Sequence, residues 1–342
     1  MLAPASPDLA EGKVIERNTR AVINLCWTCS SCDMECPVNK ATNRLRPQKI
    51  VRLANLGFMD ELLSLPEIWY CLKCKRCDYV CPNLVKPATV ICYLRKEALR
   101  RNLVSLEMIQ LRRILFAKFQ RVRWHAAEQC LNGEMESIAD DQWYDWLETP
   151  IDALRGKISL ADLNSSEAFR KVSGNSSIYC CFNCSECSNA CPVSSGRSVF
   201  DPLWIFHMVH LGLEEEILKS PSIWLCIACK RCTEACSQLV NGQFIIQRLQ
   251  EMAIEEGIVD KGFLFRWHKA QKVIYPCFIK EMDALFMGSG VGTLDRDKNI
   301  IELHPAQKTM IASGFSESNR IEEAQGLHER KQTTNLRKAS AV

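Results

Sequence analysis

The chain has 342 residues, 47% of them hydrophobic, and its 43 Lys and Arg against 40 Asp and Glu leave a formal charge of only +3. That length suffices for two ordinary domains with cores of their own, and the near balance of charge gives no reason to expect nucleic acid as a partner. The 20 cysteines fit poorly with a disulfide framework, which belongs to small secreted domains; this chain is large and opens on Met-Leu-Ala-Pro-Ala-Ser-Pro, without the basic and then apolar regions of a leader. The expectation is a cytoplasmic protein whose thiols are reduced or held by metal, with no direct membrane span because no apolar run reaches roughly 18 residues.

In chain order, a possible short strand near Ala21 to Leu25 precedes a first motif, CWTCSSCDMECP, beginning at Cys26. Pro47 suits a first helical turn, and Ile50, Leu53, Ala54, Met59, Leu62 and Leu63 form an apolar stripe interrupted at Gly57, which predicts two short helices. A second motif, CLKCKRCDYVCP, begins at Cys71 and is followed by helical patterns through TVICYLRKEALRRN and LEMIQLRRILFAKFQRVRWHAA. Residues 131 to 175 are polar, with Gly133, Pro150, Gly156 and Gly174 around a possible helix at DDQWYDWLE, and read as a connection. A third motif, CFNCSECSNACP, begins at Cys181; Leu203, Phe206, Val209, Leu213, Ile217 and Leu218 repeat the interrupted helix, now broken at Gly212. The fourth motif, CIACKRCTEACS from Cys226, leads to the apolar helical pattern FLFRWHKAQKVIYPCFI. From about Gly288 the chain is rich in Gly, Ser, Lys, Glu and Gln, a tail expected to wrap a partner or stay mobile.

Cys26 and Cys71 are 45 residues apart, and so are Cys181 and Cys226. At an offset of 155 the match extends past the cysteines: Pro47 falls on Pro202, Leu56-Gly57 on Leu211-Gly212, Ile68-Trp69 on Ile223-Trp224, Lys75-Arg76 on Lys230-Arg231, and Ile91, Leu94 and Ala98 on Ile246, Leu249 and Ala253. The chain is a duplication. The expected class is mainly α, with two tandem helical modules at 1–130 and 176–287, a linker at 131–175 and the tail at 288–342.

Each motif carries three cysteines spaced by two residues and a fourth after three more. A [4Fe-4S] cluster takes one soft thiolate per iron at four corners of a cube, and a short loop with evenly spaced cysteines reaches three of them. In paired motifs of this spacing the last cysteine serves the other cluster. On that pattern Cys26, Cys29, Cys32 and Cys81 hold one cluster, and Cys71, Cys74, Cys77 and Cys36 a second. By repetition Cys181, Cys184, Cys187 and Cys236 hold a third, and Cys226, Cys229, Cys232 and Cys191 a fourth. Ser237 replaces the proline that follows the other three motifs. Zinc is the alternative for paired thiols, but its ligands come as two separated pairs per ion rather than as three evenly spaced thiols and a fourth.

The paired motifs, the stretch ANLGFMDELLSLPEIWYCLKCKRCDYVCP and its copy HLGLEEEILKSPSIWLCIACKRCTEACS resemble the helical ferredoxin module of the heterodisulfide reductase C subunit, related in layout to the iron-sulfur domain of succinate dehydrogenase and fumarate reductase. The resemblance covers roughly residues 20–125 and 176–280. This chain departs in carrying two pairs of motifs, and in placing Ser31, Arg76, Glu186 and Arg231 before the third cysteine, where the family often has Gly. The resemblance implies two tandem domains with two [4Fe-4S] clusters each, in a non-catalytic component that passes electrons between a flavin-containing subunit and a catalytic subunit bearing CCG motifs, like the heterodisulfide reductase B subunit. An iron-sulfur subunit of a quinone-linked membrane complex and a redox-sensing or structural iron-sulfur protein are the other readings.

Remaining candidates carry less. Cys180-Cys181 is followed by Phe182 instead of Gly, so it is not a CCG site and Cys180 reads as a packed bystander. Cys92, Cys130 and Cys277 read as buried small hydrophobes. Lys75-Arg76 and Lys230-Arg231 either tune a nearby cluster and steer an acidic partner or are plain solvated charges. Trp69 and Trp224 are expected to pack over a cluster and exclude water, and His207 and His210 to occupy an ordinary helix surface. The basic stretch Leu111 to His125 is expected to lie on another subunit rather than on a membrane.

Overall fold

The computed structural model describes residues 6–133, 140–151, 178–194 and 199–287; the tail and most of the linker lie outside them. The first repeat builds α1 (Leu9–Thr19), α2 (Pro47–Leu56), α3 (Met59–Ser64), α4 (Pro87–Arg100) and α5 (Leu106–Leu131), and α6 (Asp140–Glu148) falls on DDQWYDWLE. The second repeat follows with α7 (Pro202–His210), α8 (Glu214–Leu218), α9 (Gly242–Glu255) and α10 (Phe263–Met287). Among the described residues there is no strand. Where one was expected, Ile23–Leu25 forms a 3-10 turn closed by Leu25 N–H donating to Val22 O at 3.1 Å. With no neighbouring strand to satisfy its ladder, that segment bonds to itself.

The helix breaks arise as the glycines imply. Gly57 takes φ +74°, and the Phe58 N–H donates to Leu53 O at 3.1 Å; Gly212 takes φ +75°, and the Leu213 N–H donates to Met208 O at 2.9 Å. The two repeats thus end α2 and α7 with the same cap, in which a left-handed residue turns the last carbonyls inward. At Gly57 a close approach adds to the conformational demand, because a Cβ there would meet Asp8 O at 1.6 Å.

The repeats are not beads on a string. α10 of the second repeat packs along α5 of the first, with Phe119 stacked on Phe278 at 4.5 Å and edge-on to Tyr275 at 5.2 Å. Near one end of α10, Phe263 meets Trp224 at 4.4 Å; near the other, Phe286 stacks on Trp69 at 4.5 Å. The two repeat-related tryptophans are buried against the same helix.

This packing corrects the expectation for Leu111 to His125. Leu111, Leu115, Phe119 and Val122 are buried, and so are Arg112, Lys118 and Arg123. Their charges find acceptors within the chain: Lys118 pairs with Glu148 of α6 at 2.8 Å, Arg112 donates to Trp69 O and Cys71 O, and Arg123 donates across to Leu225 O of the second repeat. A helix that looked basic on its own is basic toward carbonyls of its own fold.

A second bond pair joins the repeats. Arg76, in the second motif, donates to Ile227 O in the fourth at 2.8 Å, and Arg231, in the fourth, donates to Lys73 O in the second at 3.1 Å. Arg76 also pairs with Glu35. The repeat-related arginines therefore reach for each other's loops, while Lys75 and Lys230 beside them stay exposed.

Two outcomes follow from these contacts. Gly57→Ala is expected to cost at least ~2 kcal/mol in chemical denaturation, because strain and overlap with backbone coincide, whereas Gly133→Ala, also at positive φ (+77°) but in open space, costs ~1 kcal/mol. Arg76→Gln combined with Arg231→Gln is expected to raise amide hydrogen exchange in residues 71–77 and 226–232 together, at a cost of about 1–3 kcal/mol for two lost interface bonds; exchange rising in one loop alone would contradict the reciprocal geometry.

Candidate metal centres

The four motifs share one backbone path. In each, the middle cysteine is flanked by two non-glycine residues in the left-handed region: Thr28 and Ser30 (φ 56° and 61°), Lys73 and Lys75 (59° and 62°), Asn183 and Ser185 (58° and 63°), Ala228 and Lys230 (50° and 63°). Left-handed non-glycine residues cost about 1–3 kcal/mol each and persist where surrounding structure imposes them. Here they curl the loop so that consecutive thiols face one concavity and backbone N–H groups turn inward, an arrangement suited to anions. The Lys73 N–H donates to Cys71 Sγ, and the Ala228 N–H to Cys226 Sγ, both at 3.4 Å. The third cysteine then enters a short helix, as Cys32 does in Ser31–Glu35 and Cys77 in Arg76–Val80, and Cys36, Cys81 and Cys191 leave it in extended conformation, whereas in the fourth motif the helix stops earlier, at Glu234, with Ala235 as its cap.

The residue after the third cysteine ties each loop to the helix that follows. The Asp33 carboxylate, buried, accepts from the Gln48 N–H of α2 at 2.8 Å, and Asp78 accepts from the Ala88 N–H of α4 at 2.7 Å. In the second repeat Thr233 accepts from the Gln243 N–H of α9 at 3.1 Å, while Ser188 donates to Asp201, which caps α7 at the Leu203 N–H. Motif and helix are thereby locked in register.

The loops bring the cysteines together in four cavities. One is walled by Cys26, Cys29, Cys32 and Cys81, another by Cys36, Cys71, Cys74 and Cys77. In the second repeat one is walled by Cys181, Cys184, Cys187 and Cys236 and the other by Cys191, Cys226, Cys229 and Cys232, with Cys232 reaching the wall of both. They enclose about 360, 320, 370 and 300 Å3, counting solvent at their mouths. In each, three thiols from one motif face the last thiol of its partner. The thiols stand around a space rather than meeting at a point: among the described residues no three His, Cys, Asp or Glu side chains close on a site for a single ion.

The cavities are of two kinds. Cys29 and Cys184, repeat-related members of the first and third motifs, are exposed, as are the neighbouring Trp27 and Phe182. The cavities of the second and fourth motifs are deeper, and Arg76 and Arg231 hold their loops against each other. Burial pushes the Cys36 and Cys232 thiols up to about 12 and the Cys226 thiol up to about 11, and it raises Cys32 and Cys187 of the outer cavities as far, so the two kinds differ at their exposed middle cysteines. Burial likewise raises Cys74, with smaller contributions from Cys71, Cys36 and, across the repeats, Cys229. Exposed Cys29 goes the other way, its thiol lowered by hydrogen bonds at Ser31. Without a cation to neutralise them the deep thiols keep their protons at neutral pH, so any metal they bind as thiolates must displace those protons.

Three further residues matter that the sequence reading missed. Arg95 donates to Ile68 O at 2.6 Å and to Cys71 O at 2.7 Å; Arg112 donates to the same Cys71 O at 2.9 Å; Arg123 donates to Leu225 O, beside Cys226, at 2.9 Å. The sequence signal was arginine at 95, 112 and 123 where the repeat has Gln250, Trp267 and Phe278. Trp69 and Trp224 pack on α10 aromatics and wall none of the four cavities described above. His207 contacts the Asn183 side chain. Cys130 is fully buried as expected, whereas Cys92, Cys180 and Cys277 are only half-buried.

Four thiols around each cavity, inward N–H groups and buried guanidiniums make donor sets suited to an anionic thiolate cluster. Residues 25–86 match the family model described as a 4Fe-4S dicluster domain. The C subunit of the H(2):CoB-CoM heterodisulfide,ferredoxin reductase of Methanothermobacter thermautotrophicus is 34% identical over 83 residues, 24% of this chain and 44% of that protein. The iron-sulfur subunit designated C 2 in the CoB--CoM heterodisulfide reductase of Methanocaldococcus jannaschii is 34% identical over 84 residues, 25% of this chain and 44% of that protein. The chain thus spans less than half the length of these curated relatives. Among the described residues no helix is long and apolar enough to cross a membrane. With this match and these relatives, the chain is an iron-sulfur protein similar to the heterodisulfide reductase C subunit, and its residues 25–86 form a 4Fe-4S dicluster domain.

Proposed function

We propose that the chain is an electron-transfer subunit carrying four [4Fe-4S] clusters, one in each cavity, and that it relays electrons between a flavin-containing subunit and a CCG-motif catalytic subunit of a heterodisulfide-reductase-like complex. The observation that carries this reading is the grouping of thiols: each cavity is walled by the three-plus-one set that the motif spacing assigns to one cluster. Zinc holds its thiolates about 2.3 Å from one ion, so four thiols spread around a cavity favour a polynuclear guest. Such clusters, when bound, supply one-electron transfer at potentials set by hydrogen bonds, charge and solvent exposure.

The chain's own contribution is placement and insulation. The exposed cavities at Cys29 and Cys184 lie one in each repeat, which leaves each repeat an outer site where a partner's redox centre can approach. The deeper cavities lie toward the interface gripped by Arg76 and Arg231, which supports exchange between repeats. No substrate pocket is needed for this role, and the partners, named from the similarity, supply the chemistry at either end.

Anaerobic purification followed by metal counting tests the reading: about sixteen irons per chain are expected, and about twelve in Cys81→Ala, since one thiol serves one cluster. Colourless, oxygen-protected material containing zinc would sink it. Pull-down of the iron-loaded chain from its source is expected to bring a flavoprotein and a CCG-type subunit; recovery of a haem-binding membrane chain instead would move the assignment to a quinone-linked complex.

A further inference from the structure

Arg95, Arg112 and Arg123 are buried, at 6%, 9% and 2% exposure, and among the described residues none of the three has a carboxylate within ion-pair distance. Arg95 Nη1 and Arg123 Nε lack any hydrogen-bond partner. A buried charge without a counter-charge is strongly disfavoured, and Arg95 and Arg112 add mutual repulsion by converging on one carbonyl, that of Cys71. Guanidiniums remain protonated even in such surroundings, so permanent positive charge sits beside the second and fourth motifs.

Capping a carbonyl does not explain the charge. In the second repeat Gln250 Nε2 donates to Ile223 O at 2.8 Å, the bond that Arg95 makes to Ile68 O in the first. The fold therefore accepts a neutral side chain at that position. The Trp69 ring, 5.7 Å from the Arg95 guanidinium, offers that cation its face but carries no net negative charge to neutralise it. Among the described residues no buried cation stands on the wall of any of the four cavities, the inner ones showing only exposed Lys75 and Lys230; behind the inner sets the arginines hold the Cys71 and Leu225 carbonyls, whereas beside the outer sets stand carboxylates, Asp33 next to Cys32 and Asp201 close to Cys187 through Ser188. Asp78 plays the Asp33 role beside Cys77, so what sets the inner cavity of the first repeat apart is positive charge, exposed Lys75 at its wall and the pair of buried arginines behind it.

We infer that Arg95 and Arg112 in the first repeat, and Arg123 reaching into the second, are positioning counter-charges for the inner cysteine sets, offsetting the negative charge that one-electron reduction adds there. The inference rests on the proposed clusters. Burial by itself opposes added charge and drives a deep site to lower potential than an exposed one; a fixed cation in the same low-dielectric surroundings acts in the opposite sense. The inner sites thereby stay within reach of the outer ones despite being deeper.

The repeat supplies its own test, because residue 95 and residue 250 can be exchanged. The full iron-loaded chain, Arg95→Gln, Arg95→Lys and Gln250→Arg are titrated anaerobically with dithionite, following each cluster by electron paramagnetic resonance, with iron counted first. Arg95→Gln is expected to retain about sixteen irons and to lower one potential by about tenfold in the reduction equilibrium, about 59 mV for one electron, leaving the others in place. Arg95→Lys keeps the original value, and Gln250→Arg raises a different potential by a similar amount. Full iron content with no potential moved, or with all moved together, overturns the inference while the cluster reading stands. Too little iron in the unmodified chain overturns that reading and takes the inference with it.

Discussion

A short loop can aim three thiols at one point of space but cannot turn back far enough to supply a fourth, and the rest of this structure is arranged around that shortfall. Each motif surrenders its last cysteine to the motif 45 residues away, so the helices between them must return the chain to its own neighbourhood. α2 and α3, broken at Gly57, make that return in the first repeat, and α7 and α8, turned at Gly212, make it in the second. The residue following the third cysteine then bonds the next helix at its first turn. The helices are a frame whose dimensions are set by sulfur.

Crowding thiols in a dry interior raises an electrostatic difficulty that the fold answers with permanent cations. Burial above all, with a smaller push from neighbouring thiols, holds Cys36, Cys74 and Cys232 in the protonated form, and any guest that claims them as thiolates brings negative charge into the core. The inward N–H groups of the left-handed loop residues meet part of that charge. Arginines from α4 and α5 stand one peptide unit away, bound to carbonyls at the first cysteine of the inner motifs rather than to carboxylates.

Duplication has left the two halves alike where geometry is demanded and different where charge is tuned. The paired left-handed residues, the glycine caps and the tryptophans packed on α10 recur at the offset of 155. Lys73, Arg95 and Arg112 meet Ala228, Gln250 and Trp267. The second half compensates by borrowing Arg123 from the first, and the halves share one core because α10 lies along α5. A half that takes its buried cation and much of its aromatic packing from its neighbour is not an independent unit in any energetic sense.

Much of the site was legible in the chain alone. Cysteine spacing is a local property, and it grouped the thiols into the sets that line the four cavities; proline and glycine positions located the interrupted helices because those residues act on their own backbone. Two readings failed for want of a partner in view. Ile23–Leu25 carries strand-like residues but has no neighbouring strand to bond, and the basic stretch of α5 read as a surface for another subunit because a helix in isolation does not reveal which carbonyls will face it. The reciprocal bonds of Arg76 and Arg231 and the burial of Arg95 were equally out of reach, since an arginine's role depends on what lies at the end of a long side chain. The sequence by itself sorted the thiols into the sets that line common cavities, because that sorting depends on separations along the chain. Only the tertiary structure decided where the uncompensated charges stand, because electrostatic environment is a property of three-dimensional neighbours and of the water they exclude.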